Sequence, residues 1–316
     1  MVKRLLGIAI FCGFACGTWG QKEPCAVPGA DNAFLGIQTI HLWPGEVPQA
    51  KGTACEDTPT LTILDPQHGH GNGSAVVVLP GGAYVGLAGN LEGRQVADWF
   101  TSRGFRAFIL SYRLSSNGYL LPVPLLDARR AVQTVRARAG DYHIDPNRIV
   151  MIGFSAGGHL AALAATQPVG GDANATDPIE RASSRPDFLV LGYPWIGALS
   201  SDSAQLTYCK LFKVKDRCEA LRAAYSPDLF VTSKTPPTFW YHTADDQTVP
   251  IEQGLRFYEA LIKAGVPAEG HIFATGPHGT GLGKGDAALD QWPALLENWL
   301  RAQGLLTVDK PVVGTK

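Results

Sequence analysis

The sequence predicts an α/β fold: a mostly parallel sheet with helices on both faces and a short cap insertion. Three observations carry this expectation. Strand-like and helix-like segments alternate from about residue 60 to residue 301, the pattern of parallel strands joined by right-handed helical crossovers. The strand-like segments are short unbroken apolar runs such as "AVVVL" and "FLVLGY", as expected where a strand is covered on both faces. Finally, "VMIGFSAGGHLAALAA" (150–165) passes from apolar and β-branched into small, helix-forming residues, with Ser155 fixed between Gly153 and Gly157. The 316 residues fit one large domain with insertions, and 45% hydrophobic residues supply a sizeable core.

The chain begins "MVKRLLGIAIFCGFACGTWGQ", with a basic start at Lys3 and Arg4, an apolar middle and small residues before Gln21. This reads as a secretory leader over residues 1–20, leaving a single exported domain over 21–316 and no membrane association after cleavage. Acylation at Cys16 is the competing reading, disfavoured by Gly13-Phe14-Ala15 before it. Cys25, Cys55, Cys209 and Cys218 remain; proximity favours the pairs Cys25–Cys55 and Cys209–Cys218 over the two other pairings. Neither pair has the spacing of a redox motif or a zinc knuckle, and no metal or other cofactor is expected.

"LWPGEVPQAKGTACEDTP" (42–59) is turn-rich and wraps the outside. "TLTILDP" reads as a strand, "GHGNG" as a turn, and "SAVVVLPGGAY" as a buried strand entering a glycine loop. Helix-like Gly93–Arg103 precedes strand Arg106–Tyr112, and helix Leu125–Ala139 precedes the strand Arg148–Ile152 and a helix over His159–Thr166. Strands Phe188–Tyr193, Thr238–Thr243 and Ala268–Ala274 follow, with helices Ile251–Ala264 and Ala287–Arg301. Residues 197–236 break the rhythm, polar at "SSDSAQ" and helical around Cys209–Ala224. They form either a cap over the carboxyl ends of the strands, where open α/β sheets bind ligands, or a surface helix with no part in binding. Lysine plus arginine (27) balances aspartate plus glutamate (28) without a basic run, so no nucleic-acid partner is indicated.

A serine at a strand-to-helix turn between glycines is the pattern of a nucleophile elbow, in which the backbone lifts the hydroxyl out of the sheet. Serine is a weak nucleophile, so it needs a neutral imidazole, and that imidazole needs a carboxylate to fix its tautomer. "FWYHTADDQTVP" ends one strand and "GPHGTG" follows the next, so Asp246 and His278 come after Ser155 in the chain order of such hydrolases. The charge that develops on a carbonyl oxygen calls for two preset N–H donors. Ala156, directly after the serine, supplies one; Gly82 or Ala83 in "LPGGAY" supplies the other, unless that segment is a simple turn. His41, His68, His70, His143, His242 and His271 have no partner at metal-ligand spacing, and His159 is a packing or hydrogen-bonding residue one turn into the helix.

In this order, "PGGAY", "EGRQVADWF", "LSYRL", "DARRAVQTVR", "GFSAGGHLAA", "TPPTFWYHTADDQTVP" and "GPHGTGLG" resemble the α/β-hydrolase superfamily, in its secreted carbohydrate-esterase branch similar to acetylxylan esterases. The resemblance runs from about Ile37 onward and implies a cofactor-free serine esterase that removes acetyl groups from plant polysaccharide or its oligosaccharides. The branch's Asp-x-x-Val-Pro arrangement selects Asp246 over Asp245 and turns Asp245 to the opposite side. Ala83 stands where a third glycine is common, and Thr243 where a glycine often follows the histidine. Tyr84 and Trp195 are either walls for a sugar ring or core residues. Arg113, Asp127 and Arg130 form a structural charge network. The competing functions are a peptidase of the same superfamily, against which the lack of a gating propeller argues, and a non-catalytic carbohydrate-binding protein, against which the intact Ser, Asp and His argue. No paired carboxylates point to a glycosidase.

Overall fold

The computed structural model describes residues 34–306 except 35, 70 and 198–217. The leader, Cys25, Cys209 and half of the expected cap, residues 198–217, lie outside the described residues. Cys55 is disulfide-bonded.

One eight-stranded sheet organises the molecule. Its strands are β1 (Thr39–His41), β2 (Thr60–Leu64), β3 (Ala75–Leu79), β4 (Arg106–Ser111), β5 (Ile149–Phe154), β6 (Phe188–Gly192), β7 (Thr238–Thr243) and β8 (Ala268–Phe273). They lie in the order β1-β2-β4-β3-β5-β6-β7-β8, and only the β1–β2 and β2–β4 pairs are antiparallel. The central strands β3 and β5 are buried at every residue, which is why their sequences are unbroken runs rather than alternating ones. Edge strand β8 instead mixes half-buried and exposed positions.

The helices are α1 (Gln95–Thr101), α2 (Val123–Ala137), α3 (Ser155–Thr166), α4 (Cys218–Tyr225), α5 (Glu252–Lys263) and α6 (Trp292–Ala302). Several bounds differ from the sequence expectation, α2 by two residues at each end. The first helix is shorter and is preceded by a π-helical turn over Gly89–Arg94. The last starts five residues later than expected, after a short 3-10 turn. The third extends the helix-like run His159–Thr166 back to the strand-to-helix turn at Ser155, its Gly157 and Gly158 being placed by close packing that overrides their poor helix propensity. A Cβ on Gly157 would lie 2.2 Å from the carbonyl oxygen of Leu79, and one on Gly158 3.0 Å from Pro194.

The chain order reverses around β3, which pairs with β4 on one side and β5 on the other. Such a reversal opens a crevice at the carboxyl ends of the strands, bounded here by the loop after β3 and the start of α3. Among the described residues, no helix is long and apolar enough to cross a membrane.

The amino-terminal wrap is fastened through buried charge. Arg113 and Asp127, both essentially solvent-free, form a two-pronged pair with Nη2–Oδ1 at 2.6 Å and Nε–Oδ2 at 3.0 Å. Arg113 also donates to the Pro48 carbonyl, while Arg130 donates to that of Leu42 and pairs with Asp177. Removing one partner strands the other charge in the interior, so Asp127→Asn should destabilise the fold by about 3–5 kcal/mol. Arg113→Met combined with Asp127→Leu should lose clearly less than the two single changes together. Urea unfolding followed by circular dichroism measures both; additive losses would contradict a coupled pair.

Candidate active site

Ser155 follows β5 and opens α3 with a left-handed backbone, φ +52°. That conformation is strained for a residue with a Cβ and is tolerated where surrounding packing enforces it. The enforcement comes from glycines. A Cβ on Gly153 would meet the Gly157 carbonyl oxygen at 2.2 Å, and one on Gly81 would lie 3.0 Å from the Ser155 Cβ. The serine therefore sits wedged between its own helix start and the loop after β3.

The structure brings Ser155, His278 and Asp246 together across three separate loops. His278 Nε2 lies 2.8 Å from Ser155 Oγ, and His278 Nδ1 lies 2.7 Å from Asp246 Oδ2. With Nδ1–H donating to the carboxylate, Nε2 is free to accept the serine proton, as a general base must. Asp246 Oδ1 accepts from the Thr248 and Val249 N–H groups at 2.8 and 2.9 Å. Burial raises its pKa, but hydrogen bonds from His242, His278 and Val249 outweigh that and hold the carboxyl well below the usual carboxylate range.

Asp245, as expected, faces the other way: its Oδ1 accepts from the Gly276 N–H at 2.8 Å. Thr243, which departs from the common glycine, donates its hydroxyl to the Gly276 carbonyl at 3.0 Å. Both groups thus grip Gly276, whose φ of +154° only glycine adopts readily, two residues before His278. The departure at Thr243 tightens the histidine loop.

Gly82, Ala83 and Ala156 line a cavity of about 280 Å³ over Ser155, together with Ala88, Glu92, Trp195, Thr248, His278 and Gly279. Gly82, Ala83 and Tyr84 all have positive φ, at +132°, +54° and +57°. Trp195 belongs to the cavity wall. Tyr84 does not, and the expectation for it is corrected. Its side chain is fully buried, with its hydroxyl 2.7 Å from His159 Nδ1, so its ring packs into the interior and offers no face to a ligand. His159 in turn reaches the Tyr225 carbonyl at the end of α4 with Nε2 at 2.8 Å, and burial pushes its pKa down to about 3. None of the described residues of the 197–236 segment lines the cavity. Among the described residues, no cluster of His, Cys, Asp and Glu could hold a metal ion.

Sequence reasoning missed three residues. His242, set aside as a strand histidine, shares its Nε2–H between the Val249 carbonyl at 2.9 Å and Asp246 Oδ2 at 3.3 Å. Tyr193 stacks edge-on to His278 with ring centres 4.9 Å apart. Glu92 is buried beside the cavity, accepting from Gly81 N–H at 2.6 Å and from Tyr193 O–H at 2.7 Å. The position of His242 four residues before Asp246 was a readable signal. Glu92 and Tyr193 lie 101 residues apart, and nothing local joins them.

Comparison with known proteins agrees with this architecture. The BD-FAE family model matches residues 61–188, and that of the prolyl oligopeptidase family matches residues 195–304. An acetylxylan esterase of Xylanibacter ruminicola is 33% identical over 73% of this chain and 46% of its own length. A solved acetyl ester-xyloside bifunctional hydrolase of Caldicellulosiruptor lactoaceticus is 38% identical, with a TM-score of 0.78 over 89% of this chain and 99% of that one. The propionate-bound esterase Est2 of Thermogutta terrifontis is 27% identical, with a TM-score of 0.70 over 88% of this chain and 98% of that one. The chain spans less than half the length of the first curated relatives it matches.

The buried His159 makes stability depend on pH in a definite direction. Its folded pKa, about 3, lies below the roughly 6.5 of an unfolded histidine, so between those values the unfolded chain binds more protons. The stability it contributes is complete above pH 6.5 and is lost as the pH falls toward 3, by about 1.4 kcal/mol per unit within that window. Urea unfolding at pH 7, 5.5 and 4.5 should therefore show a shallower pH slope for His159→Gln than for the wild type. Equal slopes would mean the imidazole ionises freely in the fold.

Proposed function

The chain belongs to the α/β-hydrolase superfamily, in its acetylxylan-esterase-like branch, and on that footing we propose that it is a serine esterase acting on short acyl esters, above all the acetyl esters of xylan or its oligosaccharides. The observation that carries the reading is the relay Asp246–His278–Ser155, with hydrogen bonds of 2.7 and 2.8 Å, opening onto a small cavity lined largely by apolar groups.

In this reading His278 Nε2 takes the Ser155 proton as Oγ bonds to the ester carbonyl carbon. The resulting oxyanion rests on N–H groups from Ala156 and from Gly82 or Ala83, preset donors worth several kcal/mol in such reactions. His278 then returns the proton to the departing sugar oxygen, leaving an acetyl-serine. Water, deprotonated by the same imidazole, releases acetate and restores the hydroxyl. Ala83, Ala88 and Ala156 in the lining suit a methyl group, and Trp195 presents an apolar face beside it. A polymeric substrate stays outside the cell, which is consistent with an export leader over residues 1–20.

The prolyl oligopeptidase match over residues 195–304 favours a second reading, a peptidase using the same three side chains. Purified protein incubated with p-nitrophenyl acetate, a longer-chain ester, a chromogenic peptide and acetylated xylan separates the two, with Ser155→Ala as the control. Acetate release and a preference for the short ester support the esterase; peptide cleavage supports the peptidase; inactivity on all of them favours a non-catalytic binding protein.

Two adjacent carboxylates provide a sharper test. Asp246→Asn reverses the hydrogen bond that fixes the His278 tautomer and should lower kcat by about 10³ to 10⁴, with little change in KM. Asp245→Asn keeps a carbonyl oxygen for the Gly276 N–H and should cost less than about tenfold. Steady-state kinetics on one acetyl ester, with circular dichroism as a folding control, decides; the opposite ranking would reassign the acid to Asp245.

A further inference from the structure

Glu92 is a buried carboxylate that the ester chemistry does not require, yet both of its oxygens are committed. Oε2 accepts from the Gly81 N–H at 2.6 Å, and Oε1 accepts from the Tyr193 hydroxyl at 2.7 Å. Tyr193 in turn accepts from the Gly281 N–H at 2.9 Å. The two ends of this chain are the two loops that matter most. Gly81 directly precedes Gly82 and Ala83 at the cavity, and Gly281 lies three residues beyond His278.

The contact with the first loop is close. A Cβ on Gly81 would lie 2.7 Å from Glu92 Oε2 and 3.0 Å from the Ser155 Cβ, so carboxylate, glycine backbone and nucleophile form one stack. The backbone joins it as well, since the Glu92 N–H donates to Ala88 and the Ala88 N–H donates to Gly81. Glu92 sits in the π-helical turn Gly89–Arg94, an unusual geometry that recurs at functional sites. Filling space alone would be met by an apolar side chain, without the desolvation that a carboxylate incurs. Its value lies in two strong acceptors aimed at donors on different loops.

We propose that Glu92 is a positioning residue that, through Gly81 on one side and Tyr193 and Gly281 on the other, holds the oxyanion loop in register with the loop carrying His278. Loosening it displaces the N–H donors of Gly82 and Ala83 relative to the Ser155–His278 pair. The loss therefore falls on the transition state, where the oxyanion exists, and leaves ground-state binding largely intact. The inference rests on the esterase reading.

The test compares wild type, Glu92→Gln and Tyr193→Phe. It uses p-nitrophenyl acetate kinetics, the rate at which a fluorophosphonate probe labels Ser155, and the melting temperature. Glu92→Gln offers one acceptor where two are needed. Its kcat should fall about tenfold to a hundredfold, less than for deleting an oxyanion donor outright, with KM within about threefold of wild type and Ser155 labelling slowed in parallel. Tyr193→Phe cuts the link to Gly281 but spares the bond to Gly81, and should lower kcat by a smaller factor. A folded Glu92→Gln protein with kcat within twofold of wild type, or with its loss confined to KM, overturns the proposal. If Glu92→Gln does not fold, an unchanged kcat in Tyr193→Phe overturns it instead, and a lowered kcat at unchanged KM upholds it. Wild type that neither labels at Ser155 nor hydrolyses the ester refutes the esterase reading; labelled wild type with an equally reactive variant refutes only the role of Glu92.

Discussion

Everything at the site depends on how closely the backbone at the end of β3 approaches the start of α3. Side chains would prevent this contact: a Cβ on Gly157 would lie 2.2 Å from Leu79 O and 2.5 Å from Pro80 O, and one on Gly81 2.7 Å from Phe154 O. Because those positions are bare, the loop after β3 and the Ser155 turn interlock, and the strained φ at Ser155 is held by packing on all sides. The cavity then forms where the strand order reverses, with Gly82 and Ala83 of one loop and Ser155 and Ala156 of the other among its lining.

Around the cavity the polar groups are arranged so that the buried carboxylates each have donors. Asp246 receives N–H donors from Thr248, Val249, His278 and His242, which keep it ionised beside the His278 imidazole. Glu92, equally buried, is pushed the other way: burial raises its pKa, with Tyr193, Gly81 and His278 opposing. Two carboxylates near one histidine thus experience different environments, one rich in donors and the other less so. His159 completes the set by staying neutral, its ring 4.5 Å from that of Trp195 and bridged to Tyr84 on the loop after β3.

The outer parts of the molecule serve the same geometry at a distance. Arg113 and Arg130 tie the amino-terminal wrap to α2 through the carbonyls of Pro48 and Leu42. Gln253 on α5 accepts from the Ile196 and Gly197 N–H groups, fixing the backbone beside Trp195. Tyr241 stacks on Trp292 at 4.3 Å and donates to Gly281, which steadies the histidine loop from below.

The sequence determined the alternation of strands and helices and the buried character of β3 and β5, and it singled out Ser155, Asp246 and His278, the three side chains that the fold joins by hydrogen bonds. These follow from local pattern: apolar runs, glycine spacing and loops at strand ends in a fixed chain order. It also pointed to Gly82, Ala83 and Ala156, which the fold gathers around the serine. Tertiary structure alone decided that Tyr84 turns into the core and that Glu92 and Tyr193 meet across 101 residues of chain. The physical reason is the same in each case. Propensity and spacing act over a few neighbouring residues, whereas the destination of a side chain depends on which distant backbone leaves room for it. Here that room is set by Gly153 at the end of β5 and Gly157 in the first turn of α3, and by Gly81 on the loop after β3, which the sheet brings against them.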